Sequence, residues 1–241
     1  MNHFTLRIMI GALAMVGCLP VAAQTERLVK ARTLCFERVA DSPDIHVLGE
    51  KDAYQILMPV EAFSNSFPCT LLDGEAVFYK KEGLDAGGEP KKVVVARARV
   101  ADELKEVLFY FVPSGKKNGL LYDVRVLNDD LKSFPLGSSR VLNMSGTEVA
   151  FQLGEHVRKI SPGKYAQVGD VTKRTELNMA PVVFKMLSNQ GHWRTVAETK
   201  VRFTLRTRLF IVSYVHAETR QPLLKVYKDM PPRKEPVRTD P

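Results

Sequence analysis

Val95-Ala96-Arg97-Ala98-Arg99-Val100 opens a stretch that continues through Leu104, Leu108 and Phe109. It returns without a gap as Val196-Ala197-Glu198-Thr199-Lys200-Val201, continued through Leu205, Leu209 and Phe210. After one residue of slippage, the V-R-V-x-x-D of Val124 to Asp129 comes back as the L-K-V-x-x-D of Leu224 to Asp229. A self-match that stays collinear marks an internal repeat. Its spacing of about 100 residues is the size of one sandwich domain. Shorter matches fall in the same order: Leu48-Gly49-Glu50 with Leu153-Gly154-Glu155, and Val77-Phe78 with Val183-Phe184.

The repeat also settles an ambiguous segment. Residues 101–111 alone have helical spacing at Leu104, Val107, Leu108 and Phe111. Their partner, residues 204–214, is rich in β-branched and aromatic residues and alternates, which favours strand. The pattern predicts a tight turn near 102–105 followed by strand. Around it, strands are expected at 31–38, 45–48, 54–60, 76–80, 91–100 and 120–127, with a loop over 64–68. In the second copy they are expected at 139–143, 149–153, 157–160, 181–187, 193–205, 208–216 and 222–228, with an exposed loop over 172–178. Short strands, frequent turn residues and almost no helical stretch predict an all-β fold of two tandem, related antiparallel β-sandwich (Ig-like) domains. The boundaries are 24–133 and 134–230; one continuous sandwich or barrel is the alternative. The proline-rich tail over 231–241 has too little apolar surface to offset its ordering entropy and is expected to be disordered.

The first residues have the layout of a secretory signal peptide over 1–23. Arg7 precedes a twelve-residue apolar run at 8–19, Pro20 breaks it, and Val21-Ala22-Ala23 precedes Gln24. That run is too short to span a bilayer. Cleavage after Ala23 is the expectation, lipid attachment at Cys18 the rival, and the location periplasmic or secreted. No further stretch reads as transmembrane. In an oxidising compartment Cys35 and Cys69 could close a disulfide; otherwise they are two buried thiols.

Charge is divided unevenly. Residues 24–133 hold 16 Lys and Arg against 18 Asp and Glu, and residues 134–241 hold 18 against 9. The excess of nine positive charges belongs to the second copy and suits an anionic partner. Within it, Lys200, Arg202, Arg206 and Arg208 share one parity, so an extended ribbon would set them on one side as an anion-binding face. A solvated or deliberately charged strand is the alternative reading.

Catalytic signatures are absent: no G-x-S-x-G, H-E-x-x-H, G-K-[ST] loop or G-x-G-x-x-G occurs. His46, His156, His192 and His216 are too dispersed for a local metal site, and no metal or other cofactor is expected. Asp129-Asp130 and Asp102-Glu103 read as solvated turns. Trp193, the one tryptophan, reads as a core anchor, with sugar stacking as the lesser alternative. Basic residues without interleaved aromatics argue against nucleic acid.

The segment Phe134-Pro135-Leu136-Gly137-Ser138-Ser139-Arg140-Val141-Leu142-Asn143-Met144-Ser145, with Leu153-Gly154 and Ser161-Pro162-Gly163, resembles uncharacterised exported bacterial β-sandwich proteins. The resemblance covers the first half of the second copy and implies an envelope protein without catalytic residues. The sequence therefore predicts an exported, non-catalytic binding or scaffold module that meets an anionic envelope component or protein. A structural subunit of an envelope assembly is the alternative, and a hydrolase whose residues converge only in space is the remote one.

Overall fold

The computed structural model describes residues 24–39, 44–115, 119–188 and 190–231. The expected signal peptide with Cys18 and residues 232–241 of the tail lie outside them. Sixteen strands and no helix occur among the described residues. The first eight are β1 Glu26–Cys35, β2 Ile45–Leu48, β3 Ala53–Ile56, β4 Phe67–Leu72, β5 Glu75–Leu84, β6 Pro90–Arg99, β7 Glu106–Pro113 and β8 Tyr122–Asn128. The second eight are β9 Ser139–Asn143, β10 Val149–Leu153, β11 His156–Ile160, β12 Tyr165–Val168, β13 Met179–Leu187, β14 Trp193–Arg202, β15 Arg208–Val215 and β16 Pro222–Asp229.

The strands pair by one scheme used twice. In the second half, β11-β10-β13-β14 and β12-β9-β15-β16 form separate sheets. In the first half, β3-β2-β5-β6 and β4-β1-β7-β8 repeat the same neighbours, joined into one sheet by the single pairing of Leu72 with Glu75. The two-residue loop there is Asp73-Gly74, with φ of 51° and 76°. Asp-Gly tolerates positive φ at both positions, as a tight right-twisted hairpin requires. The expectation of wholly antiparallel sheets needs correction: β1 with β7, and β9 with β15, run parallel. About 70 residues separate the members of each pair along the chain, which is ample for the crossover that parallel strands need.

Apolar side chains collect in three places. The first core includes Val47, Phe78, Phe109 and Phe111, and the second includes Val141, Phe151, Phe184 and Ile211, between the two sheets of its half. The third joins Leu34, Leu108, Tyr110 and Leu127 to Leu142, Phe210, Val212 and Tyr227. Alternation along a strand sends successive side chains to opposite faces. The outer faces of β1-β7-β8 and β9-β15-β16 are therefore packed back to back. Tyr110 sits edge-on to Phe210 at 5.2 Å, and its hydroxyl lies 3.2 Å from that of Tyr227.

This third cluster corrects the self-match in one place. Leu108 faces the interface, but its sequence counterpart Leu209 faces the second core; Phe109 and Phe210 are exchanged likewise. Because side-chain direction has period two, a slip of one residue reverses every face. The spatial equivalent of Leu108 is Phe210: Arg32 pairs with the former and Arg140 with the latter in the two parallel ladders. Leu127 and Tyr227 keep their match, as do Ala96 and Ala197, which lie opposite Phe78 and Phe184.

Two strands were not expected from sequence, β4 and β12. β4 contains Pro68, which the reading placed in a loop; its ladder runs along β1, where Pro68 stands opposite Lys30. The strand expected over 193–205 stops at Arg202, and a turn closed by Thr207 N–H to Thr204 O follows.

Candidate functional site

The outer face of sheet β11-β10-β13-β14 is built by a bulge. Phe184 pairs with Ala197, yet Lys185 pairs with Thr195, so Val196 is an extra residue. Without it, Trp193 would share parity with Val201 and point inward. An inserted residue re-aims the strand beyond it, and Trp193 emerges on the outer face. The core-anchor reading of Trp193 is thereby corrected. The same bulge stands in the first half, where Phe78 pairs with Ala96 and Tyr79 with Val94, leaving Val95 extra. The Val-Ala dipeptide that opens the repeat marks this bulge in both copies.

Beside Trp193 lies a concavity of about 300 Å³, lined among others by Gln152, Val157, Lys159, Val183 and Lys185. The Lys159 ammonium stands 5.3 Å from the indole centroid, close enough for a cation–π attraction. Val157 is 59% exposed. Along the same face, Lys200 lies opposite Pro181 and Arg202 opposite Met179. Lys159, Lys185, Lys200 and Arg202 are all exposed, and none has an ion-pair partner among the described residues. Among the outward ladder positions of this sheet, Glu198 is the one carboxylate.

The four-residue cationic row expected from sequence does not hold together. Lys200 and Arg202 share the face just described. Arg206 is exposed in the turn after β14, beside a different concavity of about 530 Å³ that also has Leu205, Lys228 and Met230 on its rim. Arg208 is only 1% exposed and belongs to the interior. The turn at 204–207 ends the ribbon, so parity cannot carry across it.

Arg208 joins a buried ion cluster between the two halves. Asp129 accepts from Arg32 Nε at 2.7 Å and from Arg32 Nη2 at 2.9 Å, and also from Arg208 Nη2 at 2.8 Å. Asp229 accepts from Arg32 Nη1 at 2.9 Å and Nη2 at 2.8 Å, from Arg208 Nε at 2.8 Å, and from Arg208 Nη2. Two forked guanidiniums thus bridge two carboxylates, the bidentate geometry that makes such pairs strong. Asp129 and Asp229 are the repeated acids of the two self-matched segments, so the reading of Asp129 as a solvated turn is corrected. Its neighbour Asp130 does sit in a turn, accepting from Lys132 N–H and Ser133 N–H. Burial disfavours ionisation of Asp229, but its bonds to Arg32 and Arg208 outweigh that and hold it below the usual carboxylate range. Burial likewise opposes charge on Arg32, and the bonds to Asp229 and Asp129 more than offset it.

Arg140, the structural equivalent of Arg32, has no carboxylate of its own. Its guanidinium lies 4.4 Å from the Phe134 centroid and 5.2 Å from that of Tyr165, and it donates to Asn128 O and Gln167 Oε1. Burial lowers its pKa. Arg208 stands 4.5 Å from the same Phe134 ring. Residues 134 and 140 thus help to lock the halves together.

The remaining candidates separate. Cys35 and Cys69 are free and buried. The residue opposite Cys69 on β1 is Val29, six positions from Cys35 and so about 20 Å away along the strand. Disulfide geometry needs Cα atoms within about 7 Å, so the bridge is excluded. His46 stacks on Tyr79 at 5.8 Å, and His156 Nε2 meets Asp170 O at 3.0 Å. Among the described residues no three His, Cys, Asp or Glu are grouped to hold a metal ion, and no helix is long and apolar enough to cross a membrane. No protein-family model matches the chain, and no curated protein matches it in sequence.

Proposed function

We propose that the protein is an exported, non-catalytic binding module of the cell envelope that holds an anionic partner on the outer face of sheet β11-β10-β13-β14. The observation that carries this is the set of exposed, unpaired Lys159, Lys185, Lys200 and Arg202 on one rigid sheet face against Glu198 alone. Cations fixed on a sheet and without internal counter-ions attract anions and steer them to the surface. The signal-peptide layout of residues 1–23 supports export.

The test is retention on immobilised dextran sulfate as salt is raised, for the native chain and for K200E/R202E. The native chain should elute at high salt and the variant at much lower salt, because each reversal turns attraction into repulsion. Retention that ignores both salt and the reversal would refute the proposal.

A second reading, a structural subunit of an envelope assembly, is favoured by Leu205 and Met230, exposed by 70% and 69% at one concavity. Sedimentation showing a concentration-dependent oligomer that L205E abolishes would support it; a monomer at all concentrations would remove the self-assembling form.

A further inference from the structure

We infer that the concavity beside Trp193 takes a sugar ring of an acidic, uronic-acid-type polysaccharide; this rests on the anionic-partner reading above and names its ligand class. Three features meet there. The bulge at Val196 turns an indole outward that strand parity would have buried, so a half-buried aromatic ring lines a concavity on the outer face of a rigid sheet. The floor beside it is apolar, from Val157 and Val183, and matches the C–H face of a pyranose ring, while the Gln152 amide oxygen, whose amide nitrogen donates to Gly154 O, can accept from ring hydroxyls. Lys159 and Lys185 line the same concavity, and the Lys159 ammonium sits over the indole. A ligand that brings a ring face and a carboxylate together satisfies all of these groups at once. A neutral sugar leaves the ammoniums unanswered, and a bare polyanion leaves the indole unused.

The face is also shaped for a chain. Lys200 and Arg202 follow Trp193 along β14, at distances of about 20 Å and beyond. An extended polymer lying along the strand would meet the indole at one end and cations at the other. The volume of about 300 Å³ lies at the small end of ligand sites, as suits one ring of a polymer whose remaining units stay in solvent.

Trp193 is the chain's single tryptophan, so emission excited at wavelengths that tyrosine does not absorb reads this site alone. Titration with oligogalacturonate should quench and shift the emission saturably, and the effect should weaken at least tenfold in K159Q/K185Q. Calorimetry on Trp193→Ala should show loss of most of the affinity; because the side chain lies on the outer face, far-UV circular dichroism of that variant should match the native chain. Neutral dextran oligomers should leave the emission unchanged. If dextran sulfate binds but oligogalacturonate neither binds nor moves the emission, the sugar-ring inference is overturned and the anionic face survives. If vesicles with anionic lipid shift the emission to the blue while oligogalacturonate does not, the partner is a lipid surface instead. If no polyanion binds, both readings fall together.

Discussion

Asp229→Asn removes one carboxylate from the buried cluster and leaves Arg32 and Arg208 to share Asp129. The cluster then carries an uncompensated positive charge, with Arg140 close by against the same Phe134 ring as Arg208. Asp229 accepts four charge-assisted bonds from the two arginines. Removing one partner of a buried ion pair costs about 3–5 kcal/mol, and the amide oxygen that asparagine keeps favours the lower end. Against a total stability on the order of 5–15 kcal/mol the loss is large. At this chain length it corresponds to a melting-temperature drop of roughly 10 °C. Urea unfolding at pH 7, followed by circular dichroism, measures it directly. The acid side gives a second readout. Because the folded pKa of Asp229 is depressed, its stabilisation is complete above the ordinary aspartate value of about 3.9 and is lost as pH falls through the lower folded value. The gap between native and variant chains should therefore be widest near neutrality and close progressively below about pH 4. A variant within about 1 kcal/mol of the native chain at pH 7 would refute the cluster's role, since that is the scale of an ordinary point substitution. So would a gap that stays constant down to strong acid.

Two further outcomes test the thiols and a hairpin. Burial pushes the Cys35 thiol up to about 11 and that of Cys69 up to about 12; since the thiolate is the reactive form, a chain starting at Gln24 should resist iodoacetamide at pH 8 when native and take up two labels when unfolded in urea without reductant. No label after unfolding would show a bond that the fold forbids. Gly154 has φ of 57°, and a Cβ there would fall 2.3 Å from Val171 Cγ1. Gly154→Ala should destabilise by about 2–3 kcal/mol through strain and overpacking. Gly163→Ala, at φ of 72° with nothing within 4 Å, should cost only about 1 kcal/mol in the same urea titration.

The fold class was legible because alternation and turn residues are local signals, and β9 and β10 begin and end where the pattern places them. β4 was hidden by Pro68, which normally argues against a strand, and β12 by its four-residue length beside Ser161-Pro162-Gly163. The site was harder to read. Alternation from Val201 predicts an inward Trp193, and one extra residue at Val196 reverses that; the Val-Ala dipeptide recurs at the bulge in both copies, but nothing in the dipeptide itself says that a residue is inserted there. The same parity rule linked Arg208 to Lys200 across a turn that breaks it. The buried acids did leave a signal: Asp129 and Asp229 end the two self-matched segments, and an acid that recurs at a strand end beside apolar residues points to a shared partner. What sequence could not supply was the arginine opposite, because Arg32 lies 97 positions before Asp129.

Back-to-back packing of the inner sheets fixes how far apart the two outer faces stand. The two outermost sheets, β3-β2-β5-β6 and β11-β10-β13-β14, look away from each other across three intersheet spacings, a thickness of about 30 Å. Each displays a cation over an aromatic ring, Lys92 above Tyr79 on one side and Lys159 above Trp193 on the other. A partner held on the second face would therefore stand about 30 Å from anything that meets the first, with the packed inner sheets as a rigid spacer between them.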